Sequence, residues 1–409
     1  MQNPFLFVLQ SDILALNSLF YQRVWVRPIR QSSEHQKCIE RKRWGCDQVE
    51  QVSQGKYKHL KVFLDQEVCS IVNGIDMNYQ VINKRTTSIV KSPERQQSKK
   101  MPHKTRHYKR NNIHHLHKRS PFATSSRSIA NERHPTRNED NMIIDELGGL
   151  FAVFDGVGGS AAAEIASQTA ANSTRQTWKR VLTKDRHRRK VYTFLEDCNK
   201  RDMCKVLEKL ILDSDEEVRT NGAERAGTDD LATTVALAAI CRQPDSHDYT
   251  MFYAHVGDSR IYLLRGEEHL KRLTHDDGLL TKLVENQIVN EYHAFRIDQA
   301  MRADQLSEVE YSYFRLRGGI TQALGGPIPP TIHTDKISIH PGDRVLLCTD
   351  GIHDNLTDEE IENILRNSPR QSAGRILVES ARQRSHEDRN HTIRSKPDDM
   401  SAIVMTCRF

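Results

Sequence analysis

The sequence predicts an α+β fold in which antiparallel sheets are covered by helices. Two features point there. Strand-like runs follow one another around short turns, and helix-like runs come in adjacent pairs, so no βαβ alternation is present. In addition, two separated apolar runs, FAVFDGVGG at 151–159 and VLLCTDG at 345–351, each stop at Asp-Gly. That repeated ending suggests two strands delivering a carboxylate to the same rim.

The elements follow in chain order. NMIIDELGGLFAVFDG (141–156) reads as two strands joined through a Gly-Gly turn. SAAAEIASQTAANSTRQTWKRVL (160–182) has apolar residues at helical spacing, with Ser160 as N-cap. CKVLEKLILDSDEEVRTNG (204–222) reads as a second long helix ending at Gly222. ATTVALAAI (232–240) and YTMFYAHVGDSRIYLLRGEEHLKRLT (249–274) read as three strands, the last two forming a hairpin about Arg265-Gly266. DDGLLTKLVENQIV (276–289) is a helix. TDKISIHPGDRVLLCTDG (334–351) reads as another hairpin, turned by Pro341-Gly342-Asp343. Helices at 358–367 and 372–384 and a strand at 401–409 close the chain.

Charge divides the 409 residues. Residues 1–140 carry 25 Lys and Arg against 12 Asp and Glu, and the rest 35 against 42. A basic front joined to an acidic back implies segments with different jobs. Residues 1–90 form an extension of unassigned fold. Residues 91–127 hold eleven Lys and Arg, five His and one acid. Such a stretch cannot bury enough apolar surface to offset its ordering entropy, so 91–130 is expected to be a disordered linker. It suits an acidic partner. Residues 131–409 form the expected globular domain. No apolar run approaches the ~18–20 residues that span a bilayer. The first thirty residues are read as an amphipathic helix in preference to an organelle transit peptide. The chain is expected to be a cytoplasmic monomer. Its eight cysteines form no CxxC pair, so they are read as buried apolar thiols in a reducing compartment.

Acidic residues stand at the ends of five apparent strands: Glu139-Asp140, Asp155, Asp258, Asp350 and Asp398-Asp399. Carboxylates gathered at one rim repel one another unless a cation sits among them. Hard divalent ions such as Mg²⁺ or Mn²⁺ take oxygen ligands and supply that charge. A glycine after the aspartate lets its own carbonyl and a metal-bound water come close. One Asp-Gly is ordinarily a turn; five acidic stops in one domain point to a metal site.

These residues resemble the metal-dependent serine/threonine phosphatases of the PPM, or type 2C, group. Seven stretches match in order: NED at 138–140, FAVFDGVGG, GTDDLATTVALAAI at 227–240, HVGDSRIYLLRGEEHLKRLTHDD at 255–277, ITQALGG, PGDRVLLCTDGIHDNLTDEEI and KPDDMSAIV. Their flavour is nearer the bacterial branch. The resemblance implies a four-layer α-β-β-α fold, an antiparallel β-sandwich flanked by helices. It also implies hydrolysis of phosphoserine and phosphothreonine on proteins by a metal-activated water, without a phosphoenzyme. Asp155 would bridge two Mn²⁺ or Mg²⁺ ions, with the Gly156 carbonyl on one of them. Asp350 and Asp398 would ligate the other ion. Glu139 and Asp140 would hold metal-bound waters, and Asp258 would help bind a third, weaker ion.

Two positions depart from the family pattern. Where many members have a histidine after the first Asp-Gly, this chain has Val157. That residue cannot protonate a leaving alkoxide, and His353 is the substitute that sequence proximity offers. Where the family carries a phosphate-binding arginine, this chain has Pro135, flanked by Arg133 and Arg137, either of which could reach. Two other functions compete: a pseudophosphatase that binds phosphoproteins without turnover, favoured by both departures, and a nucleic-acid binder led by the basic front. The intact Asp155, Asp350 and Asp398 argue for catalysis.

Overall fold

The computed structural model describes residues 120–408, except 159, 161, 185–201, 243–248, 327 and 328. Ten strands make two five-stranded sheets, antiparallel throughout. The first sheet runs in the order β2 (Asn141–Asp145), β3 (Leu150–Phe154), β4 (Val235–Arg242), β5 (Tyr249–Val256) and β8 (His333–Ile339). The second runs β1 (Phe122–Ile129), β10 (Met400–Cys407), β9 (Arg344–Cys348), β6 (Arg260–Leu264) and β7 (Lys271–Arg272).

Strands β3 and β4 are apolar on nearly every residue because both of their faces are covered. Alternate side chains point to opposite faces of a strand. Phe151, Val153, Ala236, Ala238 and Ile240 therefore meet Ile261, Leu263, Val345, Leu347, Ile403 and Met405 of the other sheet. The intervening Leu150, Ala152, Phe154, Leu237 and Ala239 face helices α1 (Ala163–Lys184) and α2 (Met203–Glu217) through Ala166, Ala170, Trp178, Leu207 and Ile211. The second sheet presents Tyr262, Leu346, Ala402 and Val404 to its own helices. A four-residue α3 (Ala223–Ala226) follows α2, and α4 (Leu279–Glu285), α5 (Glu291–Asp298) and α6 (Glu308–Leu316) come next. Then α7 (Asp350–His353), α8 (Asp358–Asn367) and α9 (Ala373–Ser385) cover that second face with Ile352, Ile361, Leu365, Leu377 and Ala381. The result is four layers, α-β-β-α, as expected. No described helix is long and apolar enough to cross a membrane.

Helices α4, α5 and α6 stand apart and share a small core of Leu283, Val289, Ala294, Ile297, Tyr313 and Phe314. Only α4 was expected from the sequence. A readable signal for α6 exists: Ser307 and Glu310 form a reciprocal capping box at its start.

Several expectations need correction. The Pro341-Gly342-Asp343 turn does not close a hairpin. Strand β8 pairs with β5, whereas β9 pairs with β10 and β6, so the turn carries the chain from one sheet to the other. The same happens between β5 and β6 at Gly257-Asp258-Ser259. Turn chemistry specifies reversal, and tertiary packing decides whether the flanking strands pair. The hairpin about Arg265-Gly266 does form, between β6 and β7. Gly222 does not end the second helix. It lies in a π-helical turn, and the helix continues to Gly227, whose φ of 66° is the left-handed stop. Ser160 is not an N-cap, because α1 begins at Ala163, and its hydroxyl has no hydrogen-bond partner among the described residues. Cys204, Cys348 and Cys407 are free, but Cys241 is disulfide-bonded, contrary to the expectation of reduced thiols.

The linker expected to extend to residue 130 ends sooner. Residues 122–129 form β1, which pairs with β10 over its whole length from Phe122↔Cys407 to Ile129↔Met400. Its polar, basic composition hid it; a partner more than 270 residues away orders it. Phe122 is buried edge-on against Phe151 and Tyr249. Residues 91–119 of the expected linker and the 1–90 extension lie outside the described residues.

A fragment beginning at residue 131 should therefore be much less stable than one beginning at 118. Losing a buried phenylalanine alone costs ~3–5 kcal/mol, and each kcal/mol is about 2–4 °C in a domain of this size. Thermal denaturation of both fragments should show a drop of roughly 10 °C or more. Equal melting temperatures would return residues 120–130 to the linker.

Candidate metal centre

Antiparallel pairing forces the acidic residues together. Strand β2 starts where β3 ends, with Asn141 opposite Phe154, so Asp140 and Asp155 become neighbours. Strand β10 starts beside the end of β9, with Ala402 opposite Cys348, which brings Asp398 to Asp350. The same Cys348 lies opposite Arg260, so Asp258 joins from the crossover into β6. All five acidic stops reach one mouth of the sandwich.

The two glycines of the Asp-Gly pairs also sit where backbones pack closely. A Cβ on Gly156 would lie 2.6 Å from the Ala163 carbonyl oxygen and 2.8 Å from that of Glu139. A Cβ on Gly351 would collide with the Asp399 carbonyl. Each glycine lets its acidic loop pack backbone-to-backbone against another acidic loop. Gly257, at φ 93°, serves the crossover before Asp258, where any side chain would strike Thr234.

Hydrogen bonds fix the loops further. The Asp399 carboxylate accepts from the amides of Asn131 (2.5 Å) and Glu139 (2.7 Å). Asp399 therefore ties loops together. The Thr349 hydroxyl donates to Asp140 (2.8 Å), and the Asp350 amide approaches the Asp155 carboxylate at 3.4 Å. The Asp155 carbonyl accepts from the Thr234 amide and the Thr233 hydroxyl.

The electrostatics show what the packing costs. Burial pushes the Asp155 carboxyl well above the ordinary range, and nearby Asp350 adds to it. Burial likewise raises Asp140 and Asp258, the latter again helped by Asp350. Asp398 is raised to about 7 by burial and by Asp350, with Lys396 opposing. The buried Oδ1 of Asp140 has no hydrogen-bond partner among the described residues. A cluster of oxygen donors that are short of positive charge, one of them orphaned, fits hard divalent cations.

Other expected residues take varied places. Glu139 is raised chiefly by burial, and Arg137 sits 2.8 Å from it. Arg137 also lies 3.9 Å from Glu164. Arg133 is exposed and lines a cleft shared with Asn131, Arg382, His386 and Asp398. Val157 is half-buried, its amide donating to the Ala232 carbonyl (3.0 Å). His353 cannot substitute as proton donor. Its ring is buried behind Asp258, with Nε2 3.1 Å from the Asp258 carbonyl oxygen. Burial, aided by Arg260, lowers its pKa to about 4.

Sequence reasoning missed Lys396 and Asp354. The Lys396 ammonium lies 2.7 Å from Asp350, 2.7 Å from Asp354 and 3.2 Å from Asp398. Burial would raise Asp354, but Arg317 and Lys396 together hold it well below the ordinary range. Lys396 was visible two residues before Asp398; the fold of its side chain back onto Asp350 was not.

Residues 130–391, nearly two thirds of the chain, match the sequence profile of protein phosphatase 2C. The chain belongs to the protein phosphatase 2C family. This phosphatase is 27% identical to the serine/threonine phosphatase stp of Listeria monocytogenes over 241 residues, 56% of this chain and 77% of the relative. It is 29% identical to the protein phosphatase PhpP of Streptococcus pneumoniae over 237 residues, 56% of this chain and 79% of that one. These relatives are bacterial, in line with the branch that the motifs resemble. Among solved structures, the serine/threonine phosphatase PstP/Ppp of Mycobacterium tuberculosis shares the fold, with a TM-score of 0.51 and 22% identity over 70% of this chain and 99% of that one.

The raised carboxyls set a pH dependence for the metal-free phosphatase. Between the ordinary carboxyl pKa of ~4 and a raised value, the folded chain holds a proton that the unfolded chain has released. Stability therefore falls as pH rises through that window, which for Asp398 ends at about 7. In EDTA the carboxyl cluster lowers stability as pH rises from 5.5 to 7.5, while buried His255 and His353, lowered to about 3 and about 4, pull the other way below ~6.5. The gain in melting temperature on adding saturating Mn²⁺ isolates the cluster: it should be larger at pH 7.5 than at pH 5.5, and an equal gain at both would contradict the clustering.

Proposed function

We propose that this phosphatase hydrolyses phosphoserine and phosphothreonine on proteins with a metal-activated water and no phosphoenzyme. The observation that carries the reading is the set of carboxylates, buried Asp140 and Asp258 with half-buried Asp155 and Asp398, drawn to one mouth with raised pKa values. Asp155, Asp350, Asp398 and the Gly156 carbonyl would hold two Mn²⁺ or Mg²⁺ ions. Glu139 and Asp140 would hold their waters, and Asp258 would serve a third ion. Bound there, such ions acidify water and neutralise phosphoryl charge.

The chain's own residues do the rest. Arg137, held beside Glu139, and Arg133, on the adjoining cleft, are the groups able to orient a phosphate; an arginine fork matches two phosphate oxygens. Val157 brings no proton to the leaving oxygen, so a different acid or a metal-bound water has to supply it. The phosphoprotein binds across this mouth. The finer parts of the proposal rest on the sequence: residues 1–119 as an appendage whose basic stretch meets an acidic partner, and a monomer working in the cytoplasm.

Purified full-length protein should hydrolyse a phosphothreonine peptide with added Mn²⁺ and lose that activity in excess EDTA. Asp155→Asn should reduce turnover by at least about a hundredfold, since even outer-shell changes at metal sites cost ~10–100-fold. Full activity in EDTA, or in the variant, would overturn the assignment.

Leaving groups give a second test. An aryl phosphate leaves as a stabilised phenolate, whereas a serine alkoxide needs a proton, and general acid catalysis is worth ~10²–10⁴-fold. Val157→His should raise kcat on phosphoserine peptide more than on p-nitrophenyl phosphate. Equal losses on both substrates would show that Val157 is needed only for packing.

A further inference from the structure

Lys396 is a cation set among the carboxylates of the mouth, and its placement is built. Its amide donates to the side chain of Asn355 (3.1 Å), and Asn355 Nδ2 donates back to the Lys396 carbonyl (2.9 Å). Asn355 is fully buried and also holds the Gly351 carbonyl at 2.9 Å. One asparagine thus clamps the lysine backbone to helix α7, whose first residue is Asp350. The stem starts from a fixed point and delivers its ammonium between Asp350, Asp354 and Asp398.

Two of those three carboxylates, Asp350 and Asp398, are expected metal ligands. The third is not. Asp354 is buried, and Arg317 Nε stands 3.4 Å from its other oxygen. Against its burial, Arg317 and Lys396 together hold it well below the ordinary carboxylate range. The lysine side chain keeps 28% of its surface exposed.

We propose that Lys396 is a tethered cation that holds Asp350 and Asp398 together in the metal-free chain and must retreat onto Asp354 before a divalent ion takes that side of the centre. An ammonium at hydrogen-bond distance and a metal ion cannot share the same carboxylate oxygens. The ammonium offsets the repulsion that would otherwise spread the two loops. The divalent ion that takes its place must displace it. The two sides of the centre are consequently unequal. The side formed by Asp155 and the Gly156 carbonyl fills first, and the side formed by Asp350 and Asp398 fills at higher ion concentration. Ion concentration, through Lys396, sets how much of the chain is fully loaded.

This inference rests on the proposed metal centre, and its test separates the two. Mn²⁺ binding to the full-length chain is measured by calorimetric titration and by the paramagnetic resonance of free Mn²⁺, with melting temperatures in EDTA alongside. Wild type should show a tighter and a weaker class of ion. Lys396→Met should tighten the weaker class roughly tenfold to a hundredfold, the range by which groups around metal ligands shift affinity. The same variant should lower the melting temperature in EDTA and raise the gain on adding Mn²⁺. Lys396→Gln, neutral and similar in length, should behave alike. Asp354→Asn, which removes the resting place, should weaken the second class. If wild type binds no Mn²⁺, the metal centre itself is wrong. If wild type binds and Lys396→Met shows unchanged affinity and unchanged EDTA stability, Lys396 is not a competing cation. Variants that fold only with Mn²⁺ support the proposal. Variants that fail to fold with and without it overturn the proposal, since the lysine would then serve the fold alone.

Discussion

The constraint on which the rest of the structure depends is the repulsion among the carboxylates of five acidic strand ends held at one mouth. Two means keep them there. The sandwich core supplies the force: Phe151, Val153, Leu347 and Ile403 cannot interdigitate unless the strands that carry them end side by side. The loops supply the closeness, because Gly156 and Gly351 admit backbone contacts that any side chain would block. Burial then makes each negative charge costly, as the raised Asp140, Asp155, Asp258 and Asp398 show. A cluster of costly negative charge of this kind favours a hard divalent cation.

A second set of buried charges faces the other way. Arg260 is almost fully buried and pairs with Asp276 (2.5 Å) and Asp298 (3.3 Å). It also donates to the Tyr262 hydroxyl, which donates to Asp358. Arg394, fully buried, donates to the backbone carbonyls of Asp298, His353 and Leu356. These two arginines join three parts of the chain: the small α4–α6 group, helix α7 and strand β6. Buried charges of this kind are costly when one partner is lost. They fix where α7 lies, and α7 carries Asp350. The mouth therefore inherits its geometry from a network in which neither arginine ligates anything.

Much of the site was legible in the sequence because its residues sit at the junction of apolar runs and turn residues. FAVFDG and VLLCTDG announce a strand and its stop in one reading, and the acids follow as endpoints. Readings failed where local chemistry permits two outcomes. Pro341-Gly342-Asp343 reverses the chain whether the flanking strands pair or part. Strand β1 has no local reason to be a strand, since Ser, Thr and Arg dominate it. His353 lies three residues from Asp350 in sequence yet points behind Asp258.

The sequence by itself determined the family, through the order of its motifs, the four layers that this resemblance implies, and which carboxylates stand at strand ends, since periodicity and glycine placement are local properties. The tertiary structure alone decided which strands share a sheet, that residues 122–129 belong to the domain, and that Lys396 fills the space among Asp350, Asp354 and Asp398. These depend on contacts between residues tens to hundreds of positions apart, or on where a flexible side chain finds its opposite charge. No window of sequence contains both ends of such a contact.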